Sequence, residues 1–222
     1  MMSAEEKLFS TQLKEVTQTD HSEAENSEFI TTLMNGSRTS RDYVLLLSQY
    51  TYIYSALEAE VRALVTDPEL APIFDLRLER SKRIQDDLAL LLPLHGFTEI
   101  PRALNGTLEY VRQIHEAAKD PARLVAHHYL RYLGDLSGGQ IIGRLVERHY
   151  AVSQDALSMW RFEGIDKYKP YKDEYRGKLN DYAVTSGRAD ALLEEAAKGF
   201  VLNKALFRDL LTQSQQSALL SA

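Results

Sequence analysis

The sequence contains no cysteine, and this absence removes several classes of protein at once. Without a thiol among its 222 residues, the chain cannot form disulfides, thiolate zinc sites, iron–sulfur clusters or a cysteine nucleophile. Basic charge is also in short supply, because 26 Lys and Arg face 32 Asp and Glu for a net charge of −6. Since phosphate binding requires a basic surface, we expect no nucleic-acid partner.

Long hydrophobic runs are absent as well. The longest uncharged stretch, Tyr43 to Leu57, covers fifteen residues, whereas a membrane span needs about 20 mostly apolar residues. Glu5, Glu6 and Lys7 stand where a signal peptide would have its apolar region. We therefore expect a soluble, cytoplasmic protein without a membrane partner.

Apolar residues recur with helical spacing along nearly the whole chain, and no alternating strand pattern interrupts them. This predicts an all-α fold. Ser40 is a candidate N-cap, Pro93 a helix end, and Asp120 followed by Pro121 a helix start. The predicted helices cover about residues 9–26, 40–61, 76–92, 105–118, 120–150, 166–182 and 188–211.

The length and the 44% hydrophobic content fit one domain with a single core. We expect this domain to cover residues 1–222. Its ordered core should extend from about residue 8 to residue 211. Residues 212–222 should form a frayed tail.

Two classes of helical metalloenzyme are excluded by motif. Di-iron carboxylate bundles need Glu-x-x-His pairs, and no His-Glu-x-x-His zinc motif is present. A phosphate-binding glycine loop is also missing. The residues three positions before the six histidines include no acid: Gln18, Leu92, Arg112, Leu124, Val125 and Val146.

The predicted helix 120–150 is unusually rich in glycine, with Gly134, Gly138, Gly139 and Gly143. A glycine inside a helix costs about 1 kcal/mol relative to alanine, so something must offset several of them. Close packing of a second helix is one explanation. The other is a close approach of the backbone to a flat ligand, with a bend at Gly138–Gly139.

Polar side chains share the glycine side of this helix. At about 100° per residue, Arg131 and Asp135 fall beside the glycines, as does His128. Arg131 and Asp135 are four residues apart and can hold each other in place, although a plain surface salt bridge gives the same spacing. Polar groups beside bare backbone favour a ligand pocket. The opposite side carries Leu130, Leu133, Leu136 and Ile141.

The segment HHYLRYLGDLSGGQ, residues 127–140, resembles the distal-helix signature of heme oxygenases. The similarity extends from about Leu13 to Leu211 and is greatest to the soluble bacterial members. It implies a single-domain fold in which heme lies between an N-terminal proximal helix and a kinked, glycine-rich distal helix.

The resemblance also implies an activity. Heme oxygenases use heme b as substrate and cofactor, and cleave it with O2 and reducing equivalents to biliverdin, CO and ferrous iron. The expected partners are heme, O2 and an electron-donor protein of ferredoxin or flavoprotein type. We expect a monomer that serves iron acquisition.

His21 is the predicted axial ligand of the heme iron. A coordinating histidine holds its own backbone several ångströms from the ring, whereas glycine helps only where backbone lies against the ring. Because one helix cannot easily do both, His127 and His128 are disfavoured. Glu25, one turn after His21, would engage the free imidazole nitrogen.

Heme propionates need cations. Lys14 is two turns before His21 on the predicted first helix, which is a suitable reach from iron to propionate. In heme oxygenases, residues corresponding to Lys14, Lys172 and Arg176 hold the propionates, and Tyr129 assists. A solvated basic helix face is the alternative for Lys172 and Arg176.

On the distal side, we expect the backbone at Gly134 and Gly138 to leave room for O2. Asp135, held by Arg131 and Tyr54, would organise a water network that supplies protons. The resemblance implies further cofactor contacts at Gly139, Phe200 and Asn203.

A heme carrier or storage protein is the alternative function. It would share His21 and the cations, but it would not need an aspartate beside the glycines.

Overall fold

The computed structural model describes residues 8–220, and the regular structure in that range is entirely helical. The predicted all-α fold is confirmed. Residues 1–7, which include the charged residues Glu5, Glu6 and Lys7, lie outside the described range. The helices are α1 (Phe9–Val16), α2 (Gln18–Glu25), α3 (Glu28–Met34), α4 (Ser40–Leu64), α5 (Ser81–Leu94), α6 (Asn105–Ala117), α7 (Pro121–Gly134), α8 (Gln140–Tyr150), α9 (Tyr168–Ser186) and α10 (Ala189–Leu220).

Helix α4 forms the centre of the core. Its residues from Tyr43 to Leu57 are buried on nearly every side, which explains why this stretch carries no charge. The helix is capped by Thr39 and Asp42, whose side chains each bond the other's backbone N–H, and not by Ser40 as the sequence predicts. No helix within residues 8–220 is long and apolar enough to cross a membrane.

The predicted first helix is divided into α1 and α2 at Thr17. The Thr17 hydroxyl donates to the carbonyl of Leu13 at 2.7 Å, a back-bond that bends helices. Lys14 and His21 therefore stand on two different helices, whereas the sequence predicts both on one continuous helix. The short helix α3, absent from the prediction, buries Phe29 and Leu33.

The helix predicted from Asp120 to Tyr150 has both predicted ends but is not regular throughout. Asp120 caps it by accepting from the backbone N–H of Ala122. After α7 the chain forms one π-helical segment, Asp135–Gly139, before continuing as α8. Such π-bulges are a recognised cause of helix bends, and this one covers Gly138–Gly139, where the sequence predicts a bend.

Several helix bounds differ from the prediction: α5 begins at Ser81 and not at Leu76, α4 ends at Leu64 and not at Val61, and α9 ends at Ser186 and not at Tyr182. Pro93 lies inside α5, one residue before its end. Helix α10 continues to Leu220 instead of ending near Leu211, and Arg38 donates to the hydroxyl of Ser214 at 2.7 Å. Residues 212–220, which the sequence predicts to be part of a frayed tail, are therefore helical.

Helices α9 and α10 join the two halves of the candidate site. Helix α10 packs on both α2 and α7, and α9 packs on both α1 and the π-helical segment. The N-terminal helices and the glycine-rich helix are thereby held next to each other by two shared neighbours.

Candidate functional site

The glycines of the 134–143 region divide into two kinds. A Cβ built on Gly134 or Gly138 would meet nothing within 4 Å, whereas one on Gly139 would lie 2.7 Å from Trp160 Cε3. Gly143 also faces Trp160, at 3.3 Å. Bare backbone therefore borders open space at Gly134 and Gly138. Gly139, predicted to contact a cofactor, has the Trp160 ring on its Cβ side, which is the packing explanation for glycine.

A buried hydrogen-bond network lies beside the open glycines. The Tyr54 hydroxyl donates to Asp135 Oδ2, and Arg131 Nε and Nη2 donate to the Tyr54 oxygen at 3.1 and 2.9 Å. Arg131 Nη1 donates to Asn203 Oδ1 at 3.0 Å. Helices α4, α7 and α10 thus each contribute to one polar cluster around Asp135.

The contact between Arg131 and Asp135 differs from the predicted one. They are joined through the Tyr54 hydroxyl, and no ion pair between these two described side chains is present. Burial raises the pKa of the Asp135 carboxyl, and the Arg131 charge and the Tyr54 hydrogen bond oppose that rise. Burial also holds the pKa of the Tyr54 hydroxyl well above its usual value, so Tyr54 remains a donor.

Tyr50 also belongs to this network, although it is not among the site residues predicted from the sequence. The Arg131 guanidinium carbon lies 4.5 Å from the centroid of its ring, and the Tyr50 and Tyr54 rings meet edge to face at 5.8 Å. Tyr50 lies four residues before Tyr54 on one helix, so the two side chains share a face, and this spacing could have indicated that Tyr50 belongs to the site. Stacking of this kind adds a cation–π contact to the hydrogen bonds that fix Arg131.

His21 stands on α2 with 46% of its side chain exposed. Its Nδ1 lies 3.4 Å from Glu25 Oε2, as the sequence predicts, and this leaves Nε2 available to a ligand. Phe200 of α10 meets the imidazole edge to face, with ring centroids 5.6 Å apart. No group of three or more His, Asp and Glu able to hold a metal ion occurs in the described chain, so a metal here would need a further source of ligands.

Cations border the π-helical segment from α9. Lys172 Nζ donates to the Ser137 hydroxyl at 3.0 Å, and burial together with the neighbouring Arg176 charge lowers the pKa of Lys172. Arg176 pairs with Asp173 at 2.9 Å. Burial raises the pKa of the Tyr129 hydroxyl, and the charge of Arg176 opposes that rise.

The third predicted cation, Lys14, is exposed on α1. Helix α1 packs on α9, and Asn180 of α9 accepts from the Ser10 backbone N–H at 2.7 Å. The helix that carries Lys14 therefore packs against the helix that carries Lys172 and Arg176.

The histidines of α7 are committed to protein contacts. His127 Nε2 lies 3.0 Å from Glu195, and His128 Nδ1 is hydrogen-bonded to the Tyr175 hydroxyl at 2.7 Å. Both imidazoles are buried. One nitrogen of each ring is therefore engaged inside the protein.

Burial of His128 makes stability depend on pH. Burial lowers the pKa of its imidazole to about 3, against about 6.5 in an unfolded chain. Between those values only the unfolded chain binds the proton, so the free energy of unfolding decreases as pH falls, by up to about 1.4 kcal/mol per pH unit. His128→Gln should remove this contribution from the slope, as measured by urea unfolding between pH 7 and 4.

Tyr175→Phe is the matched control for that experiment. It removes the hydroxyl, at about 1 kcal/mol of stability, but leaves the imidazole buried and the pH slope in place. A wild-type slope in His128→Gln would show that another group causes it.

Residues 7–209 match the sequence profile of the heme oxygenase family. The chain belongs to the heme oxygenase family. It is 35% identical over 202 residues to heme oxygenase 1 of Rattus norvegicus, covering 89% of this chain and 70% of that protein. Heme oxygenase 1 of the cyanobacterium Synechocystis is 32% identical over 202 residues, which cover 90% of this chain and 83% of that protein.

Solved heme oxygenase structures have the same fold. The crystal structure of Synechocystis heme oxygenase-1 in complex with heme has a TM-score of 0.88 at 29% identity and covers 97% of each chain. Heme oxygenase from Leptospira interrogans has a TM-score of 0.82 at 29% identity, over 90% of this chain and 98% of that one. The chain is accordingly an oxidoreductase of the heme oxygenase class, which cleaves heme to biliverdin.

Proposed function

We propose that this chain binds heme b between His21 and the backbone of the Gly134–Gly138 region, and cleaves it with O2 to biliverdin, CO and ferrous iron. The observation that carries the proposal is the open space at Gly134 and Gly138, next to a buried carboxylate network. Backbone without side chains can lie against a flat ring, where any Cβ would hold it away. Bound heme would supply the iron at which O2 is activated.

His21 is the proposed axial ligand through Nε2. Glu25 near Nδ1 would fix the ring orientation and raise the basicity of the coordinating nitrogen, as carboxylates do for metal-bound histidines. Phe200 against the imidazole edge limits its rotation. The exposure of His21 in the protein alone leaves its coordinating face accessible.

Asp135 is the proposed organiser of proton delivery on the opposite face. Arg131, Tyr54 and Asn203 hold its surroundings rigid through hydrogen bonds from three helices. A buried carboxylate fixed in this way can order water molecules and pass protons without donating one directly. A heme carrier would have no use for this network, so the arrangement favours the oxygenase.

Four residues would seat the propionates: Lys14, Lys172, Arg176 and Tyr129. The contact from Lys172 to Ser137 places an ammonium at the edge of the π-helical segment. Arg176 would exchange its exposed pair with Asp173 for a carboxylate of the ligand. Charge-assisted hydrogen bonds to two carboxylates would fix the rotation of the ring in its plane.

The physiological setting we propose follows from the reaction. Each turnover consumes electrons, so a ferredoxin or flavoprotein reductase is the expected donor, in the cytoplasm. Each turnover also frees one iron atom, which suits iron acquisition. We expect the enzyme to act as a monomer.

A pair of neighbouring glycine variants tests the proposed seat. In Gly138→Ala the added methyl enters open space, so the protein without heme should unfold at the wild-type free energy or up to about 1 kcal/mol higher. Its heme affinity should fall about 5- to 150-fold, because the methyl occupies the ring's contact surface at a cost of about 1–3 kcal/mol. Hemin titration and urea unfolding measure the two effects.

Gly139→Ala should show the opposite pattern. Its methyl meets the ring of Trp160, which is buried and donates to the Tyr43 hydroxyl at 2.9 Å. Stability should therefore fall by about 1–3 kcal/mol while the heme contact surface is unchanged. Wild-type heme affinity in Gly138→Ala would refute the proposed seat.

A further inference from the structure

Helix α2, which carries His21, has little apolar attachment to the rest of the protein. Of its eight residues only Ala24 is buried, and its N-terminal boundary is the bend at Thr17. Burial of one small side chain contributes little hydrophobic stabilisation. Something else must hold this short helix in a fixed position.

A lysine from α10 provides a polar attachment. Lys204 Nζ donates to Asp20 Oδ1 at 2.9 Å and to Glu23 Oε2 at 2.6 Å. These carboxylates stand one residue before and two residues after His21. The lysine side chain is 30% exposed, so the two ion pairs are partly shielded from solvent.

Lys204 also connects the two sides of the site through its position in α10. It directly follows Asn203, which accepts from Arg131, and it lies one turn after Phe200, which contacts the His21 ring. One stretch of α10, residues 200–204, therefore contacts the distal network, the imidazole and the carboxylates that flank it. A shift of α2 away from α10 would move His21 relative to Asp135.

We propose that Lys204 is a positioning residue for His21, because its ammonium ties α2 to α10 through Asp20 and Glu23 and so fixes the imidazole relative to the glycine-rich helix. This inference rests on His21 being the axial ligand. The competing explanation is an ordinary surface ion pair, of the kind that contributes little or nothing. The two explanations differ in what happens to α2 when the ammonium is removed.

The experiment compares Lys204→Gln with Lys198→Gln. Lys198 lies on the same helix but pairs with Glu195 at 3.4 Å, away from α2. Amide hydrogen exchange of the heme-free proteins reports the opening of α2 directly, with no dependence on the metal ligand. Exchange within residues 18–25 should be about three- to tenfold faster in Lys204→Gln than in wild type, unchanged in Lys198→Gln, and restored in Lys204→Arg.

Heme release provides the second readout. Transfer of hemin from the loaded protein to an excess of apomyoglobin should be about three- to tenfold faster in Lys204→Gln. Wild-type release should accelerate as salt rises from about 0.05 to about 0.5 M, because screening weakens both the Lys204 pairs and the propionate contacts. Lys204→Gln should lose the part of that dependence that comes from its own two pairs, so its release should respond less to salt than that of Lys198→Gln. Unchanged α2 exchange would overturn the proposal, and so would faster exchange with wild-type heme release.

Failure of the ligand assignment has a separate signature. If hemin-loaded His21→Ala had the wild-type absorption spectrum, His21 would not be the ligand, whatever Lys204 did to the exchange of α2. The exchange measurement on heme-free protein still decides whether Lys204 holds the helix.

Discussion

Replacing His21 by alanine should abolish heme turnover while leaving the helical fold intact. Loss of a carboxylate that merely orients a metal-bound histidine reduces affinity or activity about 10- to 100-fold, so loss of the ligand itself should reduce biliverdin formation by more than about 100-fold. The His21 side chain is 46% exposed, and its contact with the core is the edge-to-face approach of the Phe200 ring. Its removal should lower the free energy of unfolding by about 1 kcal/mol or less.

The measurement combines the absorption spectrum of the hemin-loaded variant, its biliverdin yield and its urea unfolding. Added imidazole should restore part of the wild-type spectrum and turnover, because it can occupy the position of the missing side chain. His115→Ala, which removes an exposed histidine of α6 paired with Glu60 near the end of α4, serves as the control. Wild-type biliverdin yield in His21→Ala would overturn the ligand assignment.

Asp135→Ala should still bind heme yet fail to convert it to biliverdin. The carboxylate accepts from Tyr54 and lies in a network anchored by Arg131. Without it, ordered water would lose its acceptor, and loss of proton delivery typically costs about 100-fold or more. We expect the bound heme to turn over as a peroxidase instead, and to oxidise added guaiacol in the presence of peroxide.

The control for Asp135 is Asp86→Ala, which removes an exposed carboxylate on α5 that pairs with Lys82. Hemin affinity, biliverdin yield under oxygen with a reductant, and guaiacol oxidation are measured for each protein. Wild-type biliverdin yield in Asp135→Ala would remove this residue from the mechanism. A stable heme spectrum in the wild type under the same conditions would instead indicate a carrier.

Much of the fold could be predicted because its signals are local. Asp120 followed by Pro121 marks a helix start whatever surrounds it, and helical spacing of apolar residues predicts the long buried helix α4. The division at Thr17 was not predictable in the same way, since a threonine mid-helix bends the chain only when its hydroxyl bonds the preceding turn. The extension of α10 past Leu211 includes a contact to Arg38, a residue far away in sequence.

In the candidate site, too, the sequence could not reveal contacts between residues of different helices. The helical projection grouped Arg131 with Asp135, and both side chains do bond one hydroxyl. It could not show that this hydroxyl belongs to Tyr54, because Tyr54 comes from another helix. Gly138 and Gly139 are adjacent and look equivalent in the sequence. Only the position of Trp160 shows that one borders open space and the other a packed ring.

A crystal structure of the hemin-loaded protein tests the central claim most directly. The account predicts that His21 Nε2 is bonded to the iron, with the backbone of Gly134 and Gly138 in van der Waals contact with the opposite face of the ring. Iron bonded to any other side chain would contradict the account. So would a heme bound outside the space between α2 and the π-helical segment.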